Sequence, residues 1–218
     1  MLTSVAGEAT KRLGTNRALL RTAHRREIHN ERGDEVSRCT KGMLFVQNYA
    51  VYEHVVTECV RQLIVTVNSR QISLDCARKE ILCMALDSEL SSIAGGSQKK
   101  KWEARTTLFK KARSADTLRI SENLFPKDGS QYRPPQLETI WSIFGLPGEI
   151  VSKPSLRGHI VEMVDTRNRI AHGSDAPDAV GGRFTTSDLG KRIDDTEDVC
   201  VHLLVTIGAH CRDASSFQ

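Results

Sequence analysis

The uninterrupted stretch from Glu35 to Asn68 limits the fold more than any other part of this chain. Within it Leu44, Phe45, Ala50, Val51, Val55, Cys59, Leu63, Ile64 and Val67 recur at threes and fours, the period of a helix that buries one side. Several residues are β-branched, which makes a strand pair after Val60 conceivable, but no turn residues separate two strands there. Elsewhere nothing repeats at a fixed period, and strands do not alternate with helices. The chain reads as all-α.

The remaining elements follow from the same patterns. Residues Ser4 to Asn30 are rich in Ala, Leu, Arg and Glu and read as a basic, solvent-facing helix, interrupted at Gly14 and stopped near Gly33. Ser73-Leu74-Asp75 can cap a third helix that continues to about Leu90 and ends at Gly95-Gly96-Ser97. Lys99-Lys100-Lys101 then leads a basic, mostly exposed helix with Trp102, Lys110, Lys111 and Arg113. An irregular connector with Pro126, Asp128-Gly129, Tyr132 and Pro134-Pro135 spans 114–135, and a short helix follows from Gln136 to Phe144. Pro154 suits the first position of the next helix. Its apolar stripe is Leu156, Ile160, Met163, Val164 and Ile170, and Gly173 fits the left-handed position past its end. A loop rich in Gly, Asp and Pro covers 174–182. The last helix starts near Thr186 or Ser187 and reaches about Asp213. Residues 1–34 thus read as an N-terminal basic helical extension and 35–218 as a helical domain, with 98–148 inserted into it.

Composition narrows the function. At 218 residues and 24.3 kDa, with 39% hydrophobic residues and a mean hydropathy of -0.35, the chain can bury a core and is not disordered. A net charge of +4 favours an anionic partner without requiring one. The six cysteines, scattered through apolar helical patterns, form no CxxC pair, and no His/Cys cluster has zinc spacing. They read as reduced core thiols of a cytosolic protein that needs no cofactor and no metal. The N-terminus carries Lys11, Arg12, Arg17 and Arg21 in place of an apolar secretory segment. No run approaches the roughly 18 to 20 apolar residues of a membrane span. A cytoplasmic protein without a membrane partner is expected.

Arg167-Asn168-Arg169-Ile170-Ala171-His172-Gly173 carries the chemistry. Arginine is a permanent cation whose fork suits a phosphate, and histidine exchanges a proton near neutral pH. Together they are enough to cleave a phosphodiester without a metal. On an ideal helix Arg167 and His172 point about 140° apart, but the glycine lets the chain leave helical geometry and the imidazole swing. Asn168 and His172, four apart, share a face, so Asn168 can fix the imidazole tautomer or hold a phosphate oxygen; Asp165 and Arg169 have the spacing of a surface ion pair. The plainer alternative is that the histidine only caps orphan carbonyls at a helix C-terminus.

The segment Val164 to Gly173 resembles the signature of HEPN-domain proteins, a superfamily of helical ribonucleases. Its hallmark is an arginine, usually followed by a polar residue, with a histidine four to six positions beyond. Here that is Arg167, Asn168 and His172, an R-x4-H spacing. Tyr49-Ala50-Val51-Tyr52-Glu53-His54-Val55 is similar to the first long core helix of the RiboL-PSP-HEPN branch and its MAE-type relatives. The resemblance covers about Glu35 to Asp213. It implies an up-down helical bundle that pairs as a homodimer, with two copies of the motif facing one cleft. Arg167 would stabilise the scissile phosphate, His172 would act as general acid or base, and Asn168 would orient one of them. The products would be a 2′,3′-cyclic phosphate and a 5′-hydroxyl, without metal, from tRNA or mRNA. A toxin or anti-phage effector, held by a cognate antitoxin or a defence-system protein, fits that picture. Some family toxins carry a tyrosine after the histidine that a partner modifies; here Gly173-Ser174-Asp175-Ala176 stands instead.

Other features are weaker. The basic sets Arg17, Arg21, Arg25, Arg26 and Lys99 to Arg113 are ordinary solvated faces before they are nucleic-acid surfaces. Trp102 and Trp141 read as packing residues, since neither sits among other aromatics. Glu53 could face the cleft, although a helix-surface ion pair is the simpler role. His24, His29, His54, His159, His202 and His210 lack catalytic or ligand spacing. The competing function is a non-catalytic helical module that dimerises and binds RNA or a protein. A DNA-binding regulator using the first helix is a third reading, without a helix-turn-helix signature behind it.

Overall fold

The computed structural model describes residues 2–29, 34–95, 98–122, 124, 132–213 and 217. Among them it is all-α: nine helices, no strand, and one isolated antiparallel bridge between Ser73 and Thr117. Asn30, Gly33, Gly96-Ser97, Pro126 and Asp128-Gly129, to which the sequence assigns helix ends and turns, lie outside the described residues. The chain divides into two compact units.

The first unit comprises Met1–Cys59, Gln131–Glu138 and Gly148–Thr206. Helix α1 (Leu2–His29) buries Val5, Ala9, Leu13, Asn16, Leu20 and Ala23. These residues sit three and four apart, so one edge of α1 is core, and the expectation of a wholly solvent-facing helix is corrected. Small side chains among many arginines hid that edge. Gly14 does not interrupt α1 either; a mid-helix glycine costs only about 1 kcal/mol, which a packed edge outweighs. Helix α2 (Glu35–Ser69) continues straight through Val60, where a strand pair was conceivable.

Helix directions in this unit follow from polar contacts. Asn16 Nδ2 donates to Asn48 Oδ1 at 2.8 Å in the core, Ser37 Oγ donates to the Ala23 carbonyl at 2.8 Å, and Lys41 pairs with Glu27 at 2.7 Å. Asn16, midway along α1, meets Asn48, whereas Ala23 and Glu27 near the end of α1 meet Ser37 and Lys41 near the start of α2, so α1 and α2 are antiparallel. Arg17 reaches Asp194 and Glu197 at 2.7 and 2.6 Å, and Thr186 Oγ1 lies 3.3 Å from His24 Nδ1. Helix α9 (Thr186–Arg212), which contains those acids, is therefore antiparallel to α1. Up-and-down packing of long helices is the result.

The second unit comprises Val60–Ser130, Thr139–Pro147 and Ile207–Gln218. Here the expected third helix is corrected. Ser73 and Asp75 do not cap it; they form a turn tied to the chain after the basic helix, through Leu74 N to Asp116 O (3.0 Å) and Leu118 N to Ile72 O (2.8 Å). The helix starts at Lys79 and breaks at Leu86, giving α3 (Lys79–Ala85) and α4 (Asp87–Gly95). Helix α5 (Gln98–Ala112) follows, and its Lys111 pairs with Glu89 of α4. Helix α6 (Pro134–Phe144) starts two residues before the expected Gln136, because prolines preset the backbone of a first turn without needing a donor there.

The cysteines are not all core. Cys59 and Cys200 are buried, whereas Cys76 and Cys83 are exposed, and none of the six is in a disulfide. Burial pushes the Cys200 thiol up to about 12, so it stays protonated and inert. Among the described residues no helix is long and apolar enough to cross a membrane.

Candidate nucleic-acid cleavage site

The motif lies at the end of helix α7 (Ser155–Ala171), which follows Pro154. Pro154 itself has helical torsions but serves as the cap residue and not the first helical one. The buried face is Leu156, His159, Ile160, Met163, Val164 and Thr166; Ile170 is only half-buried. His159 and Thr166 were absent from the expected stripe because their polarity disguised it. His159 Nε2 lies 3.0 Å from Thr196 Oγ1 on α9 (Thr186–Arg212), and Arg192 of α9 pairs with Glu162 at 2.7 Å. Those contacts hold α7 antiparallel to α9. Burial keeps the His159 imidazole below its ordinary pKa, and it is a core residue.

The C-terminus of α7 closes as the sequence predicts. Gly173 has φ +73, the Ser174 amide donates to the Arg169 carbonyl at 2.8 Å, and the Gly173 amide donates to the Ile170 carbonyl at 3.1 Å. This is a Schellman closure, and only glycine adopts its left-handed turn without strain. The segment beyond is not the open loop expected. It contains α8 (Pro177–Gly181), pressed against α2: a Cβ on Gly42 would stand 1.9 Å from the Pro177 carbonyl oxygen, and one on Gly181 1.9 Å from that of Arg38. The motif end of α7 is thus anchored a few residues downstream by a backbone contact that admits no side chain.

Arg167 is half-buried, and its guanidinium lies over the ring of Tyr49 on α2, 4.9 Å from the centroid. Its Nη1 donates to Asn168 Oδ1 at 3.1 Å. Tyr49 is buried and donates its hydroxyl to Glu53 Oε1 at 3.0 Å. Burial, then the Glu53 charge, raises the Tyr49 phenol far above its ordinary value, so it remains a neutral donor. Glu53, for which a surface ion pair was the simpler reading, instead accepts the hydroxyl of the residue beneath Arg167.

The structure joins two of the three expected site residues and leaves the third apart. Arg167 and Asn168 bond each other. His172 is exposed and caps the helix, its backbone amide donating to the Asn168 carbonyl at 2.9 Å; its ring makes no hydrogen bond among the described residues. Asn168 spends its side-chain oxygen on Arg167, and no bond from it to the imidazole is present. The expected Asp165–Arg169 pair is also absent. Asp165 takes Arg133 at 2.7 Å, brought near by the fold, and Arg169 takes Asp175 at 3.2 Å, brought back by the turn that closes α7. Tyr49 was missed as a site residue, although its i,i+4 spacing to Glu53 on one helix is a sequence signal.

Charge is distributed unevenly around Arg167. Arg133, Arg169, Arg183 and Arg192 all have carboxylate partners, whereas Arg167 has none among the described residues. Of the basic N-terminal residues, Arg17 and Arg26 are likewise committed, to Asp194 and Glu197 and to Asp34. No group of three or more His, Cys, Asp or Glu side chains gathers as a cation site among the described residues.

A sequence model of the RiboL-PSP-HEPN family matches residues 23–207, from within α1 to near the end of α9. No curated protein and no solved structure matches the chain.

Proposed function

Since the chain belongs to the RiboL-PSP-HEPN family, we propose that it is a metal-independent endoribonuclease whose working groups are Arg167, Asn168 and His172. The observation that carries this reading is the state of Arg167. It is stacked on Tyr49, bonded to Asn168 and without a carboxylate partner among the described residues, whereas Arg133, Arg169, Arg183 and Arg192 are all paired. A fixed cation with open donors is what a scissile phosphate needs as negative charge grows on it. In the reaction, the ribose 2′-oxygen attacks phosphorus, the bond to the 5′-oxygen breaks, and one proton leaves the 2′-hydroxyl while another reaches the departing oxygen. Imidazoles of His172 serve as base and acid for these two transfers. The requirement for a 2′-hydroxyl restricts cleavage to RNA.

Within one chain the His172 ring does not meet Arg167, so the reading includes a homodimer in which motif ends of two protomers share a cleft. The cellular role is that of a toxin or defence effector acting on tRNA or mRNA and restrained by an antitoxin or another defence protein. Cleavage in EDTA by the wild type is expected, with losses of about 100-fold or more in Arg167→Ala and His172→Ala. Mixing the two inactive variants should restore part of the activity through mixed dimers carrying one intact residue of each kind. Full activity in His172→Ala would sink the reading. Tight RNA binding by a wild type that never cuts would assign the chain to the non-catalytic module instead.

A further inference from the structure

Helix α5 carries a second feature, away from the motif in the chain and unused by the chemistry above. Trp102 is 67% exposed and Phe109 68% exposed, the two most exposed large hydrophobic residues among those described. At 100° per residue they fall within about 20° of one line along α5, Arg105 and Thr106 lie within about 60° of it, and Arg113 follows one residue past the helix end. With Lys110 these side chains line a shallow groove of about 470 Å³. The opposite side of α5 holds Ala104, Leu108 and Lys111, which are half-buried, and Lys111 is tied to Glu89 of α4. The aromatic side therefore points away from the α4 contact.

Charge distinguishes this face from an ordinary solvated helix. Lys101, Arg105, Lys110 and Arg113 have no acidic partner among the described residues, although ion pairs abound elsewhere in the protein. Arg105 instead lies over the Trp102 ring, 5.0 Å from its centroid. Flat aromatic rings set among unpaired cations match the bases and phosphates of a single strand, where stacking accepts any base and cations follow the backbone. The two rings are separated by two helical turns, about 10 Å. A membrane surface is a poorer match, because its helices need a broad apolar face, and here Arg105 and Thr106 stand between the two rings. A second copy of the same face would bring like charges together.

We infer that the outer face of α5, centred on Trp102 and Phe109, is a sequence-tolerant binding platform for single-stranded nucleic acid. That the strand is the enzyme's substrate rests on the ribonuclease reading; that the face binds it does not. Trp102, taken from the sequence as a packing residue, is in this reading a stacking residue, and Trp141 is the buried one.

The test uses the full chain and a 2′-O-methyl oligonucleotide of about 12 residues, which cannot be cut through a 2′-hydroxyl. Binding should quench tryptophan emission, and Trp102→Phe should remove most of that quench. Trp102→Ala and Phe109→Ala should each weaken binding about 5- to 100-fold. Arg113→Gln should lower the slope of log affinity against log salt by about 0.7. A DNA strand of equal length should bind within a few fold, and a duplex of equal length far more weakly. Because the probe cannot be cut, a wild type that never cleaves RNA leaves this measurement fully readable. Unchanged affinity in the Trp102→Ala, Phe109→Ala double variant would overturn the inference. So would a duplex bound as tightly as the strand, exclusive binding to anionic vesicles, or self-association abolished by the double variant.

Discussion

The Tyr49 ring decides how Arg167 is presented. An arginine on an open helix end samples many rotamers, and ordering it at the moment of reaction costs entropy. Here the ring beneath the guanidinium and the Asn168 oxygen beside it fix that side chain beforehand. Cation–π contacts contribute about 0.5 to 2 kcal/mol, more when water is excluded. Tyr49→Phe keeps the aromatic face and loses only the bond to Glu53, so cleavage should fall by no more than a few fold. Tyr49→Leu fills similar space without a π face, and cleavage should fall roughly 3- to 30-fold. Single-turnover rates on folded variants distinguish the two; equal rates for phenylalanine and leucine would remove Tyr49 from the positioning role. At this scale the sequence made Arg167, Asn168 and His172 legible as candidates, because their spacing and the trailing glycine form a recognisable motif. Tyr49 lies on another helix, so its role waited on the packing of α2 against α7.

At the scale of elements, the ends of helices carry most of the local information. Gly173 adopts φ +73 and closes α7, as its place after His172 predicts. Gly173→Ala should cost about 1 to 2 kcal/mol, the penalty of a left-handed L-residue. The urea midpoint should fall with an unchanged m-value. The start of α9 is equally readable: Thr185 Oγ1 accepts from the Asp188 amide at 3.1 Å while the Asp188 carboxylate accepts from the Thr185 amide at 2.9 Å, a reciprocal cap. Sequence reasoning failed where two signals competed. Ser73 and Asp75 suit a helix cap, yet they also suit a turn, and hydrogen bonds to Ser114 and Asp116 favoured the turn. For α8, five residues between glycines carry no periodicity, and their helix exists because Gly42 lets the chain approach α2.

For the whole molecule, pH reports on the buried histidines. Desolvation holds His159 below 6.5, and His210, which contacts the Phe144 carbonyl at 2.9 Å, is lowered by the same cause. A lowered folded-state value means that the unfolded chain binds protons first as pH falls through 6.5. Stability is therefore full above the unfolded value and declines on acidification, with a slope of at most about 1.4 kcal/mol per pH unit for His159. His159→Gln should flatten the acid limb of the denaturation midpoint between pH 7 and 5. An unchanged limb would show that His159 does not set it.

The sequence alone determined the helical class, the extents of the long core helices α2 and α9, and the motif with its closing glycine. Each of these rests on spacing or on a residue's own torsional preference, which act locally. Tertiary structure alone decided that α1 has a buried edge, that Asp165 pairs with Arg133, that Tyr49 lies under Arg167, and that Trp102 faces outward. Those outcomes depend on which surfaces meet, a sum over contacts between residues far apart in the chain that no local pattern contains.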